Sequence, residues 1–352
     1  MMKKFPFDVD VLKKWFKIAR RELPWRNVSD PYAIWISEIM LQQTQVSVVE
    51  DYYSRWMSRF PTISALASAS LEEVIKMWEG LGYYSRARHL HEAAHLLMEN
   101  YEGKLPSTKE ELAKIKGLGP YTIGAILSFA FHQKAAAVDG NSIRVLTRYY
   151  GVEDDIQKSK TIKKIWEIAE SILPEDEPWL VVEGLIELGA TVCKKDPSCD
   201  ECPLQETCFA YEQETQRQIP KKGKKIETTI LKRQVFVIVH DNKLLVKKGR
   251  PRRVMADLYE FPYFEKVTNI FPFSFEAKKI KNLAEVEHCF TRFKARLYPT
   301  LWKAVKQIEI PDHDWISLEH IEKYPFSSGH KKILNFLKLE LYCDSQIVNG
   351  SI

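Results

Sequence analysis

Two carboxylic acids, Glu38 and Asp139, stand in settings that are unusual for solvated side chains. Glu38 shares one face of a predicted helix with Ile34, Trp35 and Leu41. An acid among apolar groups is costly unless it is paired or protonated. Burial would raise its pKa towards the range that a general acid needs near neutral pH. From the pattern alone, a solvated position at the helix edge is the simpler explanation.

Asp139 lies about twenty residues after a glycine-rich turn, residues 117–120 (GLGP), and directly after the small apolar run 135–138. Such a turn leads into a helix and points free backbone N–H groups at an anion, for which a DNA phosphate is suitable. A carboxylate close to a phosphate-binding turn indicates a developing positive charge that it stabilises. A helix N-cap before Gly140 and Asn141 also explains Asp139, and both explanations can hold together.

Four of the six cysteines fall within sixteen residues, with the spacing C-x5-C-x2-C-x5-C. Four thiolates this close predict one tetrahedral sulfur site, and both zinc and a [4Fe-4S] cluster match the ligand count. Because no secretion signal precedes them, disulfides are disfavoured. The predicted ligands are Cys193, Cys199, Cys202 and Cys208.

The composition is that of a globular chain with more than one domain. A length of 352 residues predicts two or three domains, and 45% hydrophobic with 28% charged residues is typical of soluble proteins. The net charge of +5 permits a polyanionic partner without requiring one. No run of eighteen apolar residues predicts a membrane span, and the first ten residues lack an apolar signal core.

The hydrophobic pattern changes once along the chain. Helical periodicity dominates up to about residue 211 and includes one long amphipathic region over residues 33–60. The polar, lysine-rich segment 212–228 is typical of a linker. Beyond residue 229, residues 235–239 and 243–246 predict a hairpin with Asp241 and Asn242 in the turn, and the whole segment reads as α+β.

Three stretches resemble one family closely: residues 35–46 (WISEIMLQQTQV), 78–86 (WEGLGYYSR) and 117–122 (GLGPYT). They are similar to the helix-hairpin-helix DNA glycosylase superfamily and, within it, to the adenine DNA glycosylases of the MutY family. The resemblance is dense up to about residue 211 and thin after about residue 229. It implies a multidomain protein, in which an all-α helix-hairpin-helix glycosylase domain with a [4Fe-4S] lobe precedes a C-terminal α+β Nudix-like domain.

The domain boundaries that the resemblance implies are 1–211 for the glycosylase domain (a six-helix barrel at about 25–135 and a cluster lobe from 8–24 and 136–211), 212–228 for the linker and 229–345 for the Nudix-like domain.

The resemblance also assigns roles at the reaction centre. Glu38 matches the acid that protonates the adenine ring, and Asp139 is expected to face it across the cleft between the lobes. Two carboxylates in unlike environments suit a glycosidic bond that breaks through an oxocarbenium-like transition state. Asn141 and Tyr121 are expected to orient the pair. Relatives that also cut the strand carry lysine where Tyr121 stands, so we expect base removal without efficient strand cleavage.

Further residues are expected to contact DNA. Leu41 and Gln43 would fill the space of a flipped base, and Tyr83 would insert at the damaged pair with Leu81 beside it. The remaining expected contacts are Arg26, Gly117, Gly119 and Thr122. Glu183 is a weaker candidate, which would support the reacting residues without contacting the substrate. As alternatives, Arg26 would be an ordinary surface cation and residues 42–45 an ordinary solvated face.

The C-terminal domain is expected to read the base opposite the adenine. Its matching loop contains Phe290 and Thr291, with Arg292 where the family has histidine. A strand core position would also explain Phe290. The acidic helix of true Nudix hydrolases is absent from the sequence, so no pyrophosphatase activity is expected. For the cysteines the resemblance favours a [4Fe-4S] cluster with a structural role, although the first gap is one residue shorter than is usual.

The expected function is therefore excision of adenine mispaired with 8-oxoguanine or guanine in double-stranded DNA. We expect a monomeric, cytoplasmic bacterial enzyme associated with the nucleoid and not with a membrane. Three alternatives are a thymine-mismatch glycosylase, a bifunctional pyrimidine-damage lyase and a silent DNA-binding module. Glu38, residues 42–45 and the C-terminal domain argue against the first, the missing lysine against the second, and the acid pair against the third.

Overall fold

The computed structural model describes residues 6–223, 228–250, 254–265, 270–290 and 292–343. Internal contacts divide the chain into two compact units. The first comprises Met1–Ser68 with Glu92–Lys225, and the second comprises Ala69–His91 with Ile226–Ile352. Within the described ranges, no helix is both long and apolar enough to cross a membrane.

The α-helices, in chain order, are α1 (Val9–Ala19), α2 (Pro31–Leu41), α3 (Val46–Arg59), α4 (Ile63–Ser68), α5 (Leu71–Met77), α6 (Ser85–Asn100), α7 (Lys109–Leu112), α8 (Pro120–Ala125), α9 (Gly140–Tyr150), α10 (Ser159–Ser171), α11 (Pro178–Thr191), α12 (Phe209–Glu212) and α13 (Ser328–Cys343). A π-helical segment, Ile126–Ala130, continues α8, and 3₁₀ turns form at Cys199–Glu201, Gln205–Thr207 and Ile321–Lys323.

Helix α2 is a buried helix rather than the start of a long amphipathic one. Asp30 caps its N-terminus by accepting from the Tyr32 amide, and Pro31 occupies the first turn, where its missing N–H costs nothing. Its residues from 32 to 40 are all buried. The expected continuous helix over residues 33–60 is wrong. The polar residues 42–45 break it, and Gln43 adopts a left-handed φ of 59°.

The hairpin of the first unit joins α7 to α8. The Thr108 hydroxyl caps α7 by accepting from the Glu111 amide. Gly117 has a φ of 94°, which a residue with a side chain rarely adopts, and Gly119 precedes Pro120 at the start of α8. The sequence therefore specifies this turn through its glycines and proline.

Four helices of the first unit, α1, α9, α10 and α11, pack around one apolar core. Helices α1, α9 and α11 contribute Leu12, Val145, Leu146 and Leu185, all buried, and Ile165 of α10 joins them. Gly151, with a left-handed φ of 65°, ends α9 in the manner of a C-terminal cap. This core fixes the N-terminus of α9 next to α11, and both helices reach the site described below.

The second unit is built on a mixed sheet. Its strands are β1 (Thr229–His240), β2 (Lys243–Lys248), β3 (Tyr259–Glu260), β4 (Tyr263–Phe264), β5 (Ala277–Asn282), β6 (Val286–Phe290), β7 (Phe293–Ala304) and β8 (Asp314–Ser317). The main order is β3-β2-β1-β7-β5, while β4 pairs with β1, β6 with β7 and β8 with β2. Strands β1 and β7 are parallel, and the other pairs are antiparallel.

The predicted hairpin at the start of the second unit is present. Strands β1 and β2 pair through Val239 with Leu244 and His240 with Lys243. Asp241 and Asn242 form the turn with φ values of 40° and 60°, which is the conformation a two-residue hairpin prefers. The α+β pattern expected after residue 229 is confirmed.

Residues 69–91 group with the sheet and not with the first unit, although the sequence predicts them within the glycosylase domain. The Glu79 carboxylate accepts from the Phe326 amide at 2.7 Å, and Lys76 donates to the Tyr324 carbonyl at 3.0 Å. Glu72 accepts from the Tyr259 hydroxyl at 3.1 Å. These polar contacts between distant parts of the sequence are not visible in its local pattern.

Candidate active site

A cavity of about 740 Å³ opens in the first unit. It is lined by the loop after α1, by α2 and the turn that follows it, by α8, and by the start of α9 and one face of α11. The structure thus brings together eight of the candidate residues named from the sequence: Arg26, Glu38, Leu41, Gln43, Tyr121, Asp139, Asn141 and Glu183.

Glu38 is the buried acid of this cavity, with 6% of its surface exposed. Its Oε2 accepts a hydrogen bond from the Tyr121 hydroxyl at 2.5 Å. Burial raises the pKa of Glu38 to about 7. The Tyr121 hydrogen bond lowers this pKa, whereas the charges of Asp139 and Glu183 raise it. A carboxyl group that holds its proton near neutral pH can act as a general acid.

Asp139 is both the N-cap of α9 and a wall of the cavity. Its Oδ1 accepts from the Ser142 amide at 2.7 Å, and its Oδ2 accepts from Nδ2 of Asn141 at 2.7 Å. These two bonds fix the carboxylate in one orientation, and the start of a helix suits its negative charge. The N-cap prediction for Asp139 is confirmed, and the same residue also lines the cavity.

Arg26 is not a surface cation, because only 9% of its side chain is exposed. Its Nη2 donates to Oε2 of Glu187 at 2.6 Å and its Nη1 to the Arg21 carbonyl at 2.7 Å. Glu183, four residues earlier on α11, lines the cavity, and burial raises its pKa. The part of the cavity wall formed by the loop after α1 and by α11 therefore carries arginine and glutamate side chains together.

Sequence reasoning missed three residues that hold this site. Glu187 is buried in α11 and binds Arg26. Arg144 donates from Nη2 to Oδ1 of Asn141 at 2.8 Å and from Nε to the Cys193 carbonyl at 2.6 Å. The Gln42 amide donates to the Thr122 hydroxyl at 3.1 Å. A signal existed for Glu187 alone, since it stands four residues after Glu183 between apolar neighbours.

The residues expected to contact DNA differ in exposure. Gln43, Gly117 and Gly119 are exposed, whereas Thr122 is buried with its hydroxyl on Gln42. Leu81 and Tyr83 belong to the second unit. There, Leu81 is 6% exposed and Tyr83 is 50% exposed, with a left-handed φ of 47°.

Three of the four predicted cysteine ligands lie against the apolar core of the first unit. Cys193, Cys202 and Cys208 pack against that core, and burial, together with smaller contributions from the neighbouring thiols, raises the pKa of Cys202 to about 12. Nη1 of Arg148 lies 3.3 Å from Sγ of Cys193. Across the described ranges, no three His, Cys, Asp or Glu side chains converge to hold a metal ion.

The loop expected to read the opposite base joins β6 to β7 in the second unit. Phe290 pairs with Phe293 across this hairpin, and their ring centroids are 5.6 Å apart. Arg292 is exposed at the tip, whereas Thr291 lies outside the described residues. Phe290 is half-buried, and the Arg233 guanidinium carbon lies 5.6 Å from its ring centroid.

Comparison with known proteins identifies both parts of the chain. The model of the HhH-GPD superfamily of base excision DNA repair proteins matches residues 36–171, and the NUDIX domain model matches residues 234–336. The adenine DNA glycosylase of Buchnera aphidicola subsp. Baizongia pistaciae is 33% identical over 94% of this chain and 97% of its own length. The human adenine DNA glycosylase is 41% identical over 60% of this chain. The matched part makes up 41% of the human protein.

Solved structures of DNA glycosylases are similar to the helical part of the chain. A thermostable thymine-DNA glycosylase matches 58% of this chain and 95% of its own, with a TM-score of 0.54 and 30% identity. A trapped endonuclease III–DNA covalent intermediate matches 58% of this chain and 94% of its own, with a TM-score of 0.51 and 25% identity. The Buchnera relative is matched along nearly its whole length, and the cavity of this chain holds a buried acid and a second carboxylate. The chain therefore belongs to the adenine DNA glycosylase family and is a base excision repair enzyme that hydrolyses N-glycosyl bonds.

Proposed function

We propose that this glycosylase removes adenine mispaired with 8-oxoguanine or guanine in double-stranded DNA, and that Glu38 and Asp139 perform the reaction. The observation that carries the proposal is the buried Glu38 carboxyl, held by Tyr121 at 2.5 Å in the cavity that Asp139 also lines. One acid that retains its proton near neutral pH and one fixed carboxylate are what cleavage of a glycosidic bond requires.

In the proposed reaction, Glu38 donates its proton to N7 of a flipped adenine. The bond between C1′ and N9 then breaks, and its electron pair leaves with the base. Asp139 stabilises the resulting positive charge on the sugar or traps it as a transient ester. Water adds to C1′ and loses a proton, which completes hydrolysis. Asn141 orients Asp139, and Tyr121 orients Glu38.

The product is an abasic site in an intact strand. Cleavage of the strand by a lyase requires an amine that forms a Schiff base with the sugar. Tyr121 supplies a phenol in place of that amine. Burial raises the pKa of Tyr121 well above its usual value, so it remains a hydrogen-bond donor.

DNA engagement is proposed for residues around the cavity and on the second unit. Leu41 and Gln43 line the cavity and would occupy the space that the adenine leaves in the stack. The exposed ring of Tyr83 would insert at the mispair, with Leu81 supporting it from its buried position. Arg26, Gly117, Gly119 and Thr122 complete the proposed DNA-contacting set, and the enzyme is proposed to act as a monomer.

Recognition of the opposite base is proposed for the turn between β6 and β7. Phe290 would stack beside the oxidised guanine and Thr291 would hydrogen-bond to it. Arg292, which is exposed at the turn, would contact a phosphate or a base edge. The preference for 8-oxoguanine over guanine is therefore proposed to depend on an arginine in place of a histidine.

A [4Fe-4S] cluster is proposed for Cys193, Cys199, Cys202 and Cys208. Thiolates are the donors that such clusters use, and the Arg148 guanidinium beside Cys193 supplies a positive charge close to an anionic group. When bound, the cluster would hold the loop of residues 193–208, including Lys194 and Lys195, in a shape suited to DNA backbone contact.

Thymine excision is the second candidate function, because a thymine-DNA glycosylase is 30% identical over 58% of this chain. Single-turnover base release from three duplexes of one sequence separates the two functions. The duplexes carry adenine opposite 8-oxoguanine, adenine opposite guanine, and thymine opposite guanine. We expect adenine release that leaves an alkali-labile site. Release of thymine alone, or of no base while binding is retained, would contradict the proposal.

A further inference from the structure

Glu187 has a carboxylate that is saturated with hydrogen bonds although its residue is 0% exposed. Its Oε1 accepts from the Arg21 amide at 3.0 Å and from Nε of Arg21 at 2.7 Å. Its Oε2 accepts from Nη2 of Arg21 at 2.9 Å and from Nη2 of Arg26 at 2.6 Å. Ionised carboxylates accept about four hydrogen bonds, so all of its capacity is used.

Glu187 stands one layer behind the cavity wall. Arg21, Arg26 and Glu183 line the cavity, whereas Glu187 is not among the described residues that do so. It lies on α11 one turn after Glu183, and its two arginines come from the loop that follows α1. A charged group placed there contacts no substrate, but it fixes the guanidinium groups that face the substrate space.

We infer that Glu187 is a positioning residue that holds the Arg26 guanidinium in the cavity wall and compensates its charge beside the proton donor Glu38. The inference rests on the proposed role of Glu38 as the general acid. Arg26 has other contacts, the Arg21 carbonyl at 2.7 Å and the Phe16 ring at 5.4 Å. Its partner among the ion pairs of the described residues is Glu187.

The charges around Glu38 decide the direction of the effect. Asp139 and Glu183 favour its protonated form, whereas Arg26 and the Tyr121 hydroxyl favour its ionised form. Two further charges lie nearby: Arg20 lowers the pKa of Glu183, and Glu50 raises the pKa of Arg21. Removing the negative charge of Glu187 leaves Arg26 uncompensated, so the positive potential at Glu38 increases. Glu38 then loses its proton at a lower pH, and the enzyme loses its acid earlier as pH rises.

The test is Glu187→Gln, which keeps the shape of the side chain and removes its charge. Single-turnover adenine release is measured from pH 5 to pH 9 on the duplex with 8-oxoguanine. We expect the alkaline midpoint of the profile to fall by about half a pH unit, so that the rate above the midpoint drops about threefold more than the rate below it. An equal loss at every pH would show a merely structural ion pair and overturn the inference.

Glu177→Gln is the matched control, because it removes the same charge from the residue that directly precedes the same helix. Glu177 pairs with Lys13 and Lys17 away from the cavity. Its midpoint should equal that of the wild type. Arg26→Gln, which retains the Arg21 partner of Glu187, should move the midpoint upward. The double variant Arg26→Gln, Glu187→Gln should have the same midpoint as Arg26→Gln alone.

If Glu187→Gln does not fold, Arg26→Gln decides the question alone. An unmoved midpoint in that variant would leave Glu187 without a cation through which to act, and the inference would be wrong. Failure of the proposed function gives a different result, since the wild type would then release no adenine at any pH. A wild type with an alkaline limb near pH 7, together with an unshifted Glu187→Gln, contradicts only the present inference.

Discussion

Tyr121 donates its hydroxyl hydrogen to Oε2 of Glu38 at 2.5 Å, which joins the first helix after the hairpin turn to the buried acid of α2. The bond has a chemical consequence as well as a geometric one. Burial raises the pKa of Glu38, whereas this hydrogen bond lowers it by stabilising the ionised form. The balance, at about 7, leaves the acid partly protonated in the pH range where DNA repair operates.

Tyr121→Phe should therefore move the pH dependence of base release upward. The variant loses the donor that favours ionised Glu38, so the pKa of Glu38 rises and the acid stays protonated to higher pH. A hydrogen bond to a charged group contributes about 1.5–3 kcal/mol, which corresponds to about one to two pH units. The check is single-turnover adenine release against pH. A downward shift, or no shift, would contradict this account of the bond.

Glu38→Gln should abolish adenine release and stabilise the protein at alkaline pH. Loss of a general acid costs about a hundredfold to ten-thousandfold in rate. Because the folded-state pKa is raised from 4.5 to about 7, ionisation of Glu38 opposes folding progressively as pH rises through that window. Glutamine removes this cost, which reaches about 3 kcal/mol above pH 7.

Thermal melting of both proteins at pH 5 and pH 8.5 checks the stability prediction. The advantage of Glu38→Gln should be large at pH 8.5 and small at pH 5, where the wild-type acid retains most of its proton. An equal advantage at the two pH values would mean that Glu38 is not the group whose ionisation destabilises the fold.

Asp139→Asn should abolish turnover and spare both binding and the fold. Asparagine is as good an N-cap as aspartate, so its side-chain oxygen can still accept from the Ser142 amide. The negative charge is lost, and with it the stabilisation of the sugar cation. Single-turnover kinetics and DNA binding are measured on the same preparation. Wild-type rates would remove Asp139 from the mechanism.

The sequence identified the acids that line the cavity better than the residues that support them. For Glu38 the local pattern alone favoured a solvated position, and the resemblance of residues 35–46 to the adenine DNA glycosylases selected it as an active acid. Asp139 was found because it is an acid beside a glycine-rich turn and a small apolar run, which are local patterns. The hairpin of β1 and β2 was found for the same reason, since Asp241 and Asn242 identify the turn. In each case the informative residues are neighbours in the chain.

Glu187 and Arg144 were missed because their partners are distant in sequence. Arg26 lies 161 residues before Glu187, and Cys193 lies 49 residues after Arg144. The break after Leu41 was missed because the polar residues 42–45 also fit a solvated stretch within one helical region, whereas Gln43 adopts a left-handed φ of 59°. Tertiary contacts of this kind override local propensity and leave no periodic trace.

Gly189→Ala should inactivate the enzyme from a position that contacts no substrate. A Cβ at Gly189 would lie 2.6 Å from Cβ of Asn141 and 2.7 Å from its carbonyl oxygen. Backbone at this distance has to move, and Asn141 is the residue that orients Asp139 through the 2.7 Å bond. Overpacking of this kind costs about 1–3 kcal/mol, and displacement of the carboxylate adds a loss of rate.

Gly184→Ala is the control, since it adds the same methyl group to the same helix. Its Cβ would meet Cγ of Leu12 at 3.1 Å and Cβ of Phe16 at 3.4 Å, both of which belong to side chains of α1. Both variants should lower the melting temperature, because each crowds a packed core. Only Gly189→Ala should lower single-turnover adenine release from the folded protein, because only that methyl group reaches the residue that positions Asp139. Equal rates in the two variants would show that Asn141 tolerates displacement, and that Asp139 is held chiefly by its cap to Ser142.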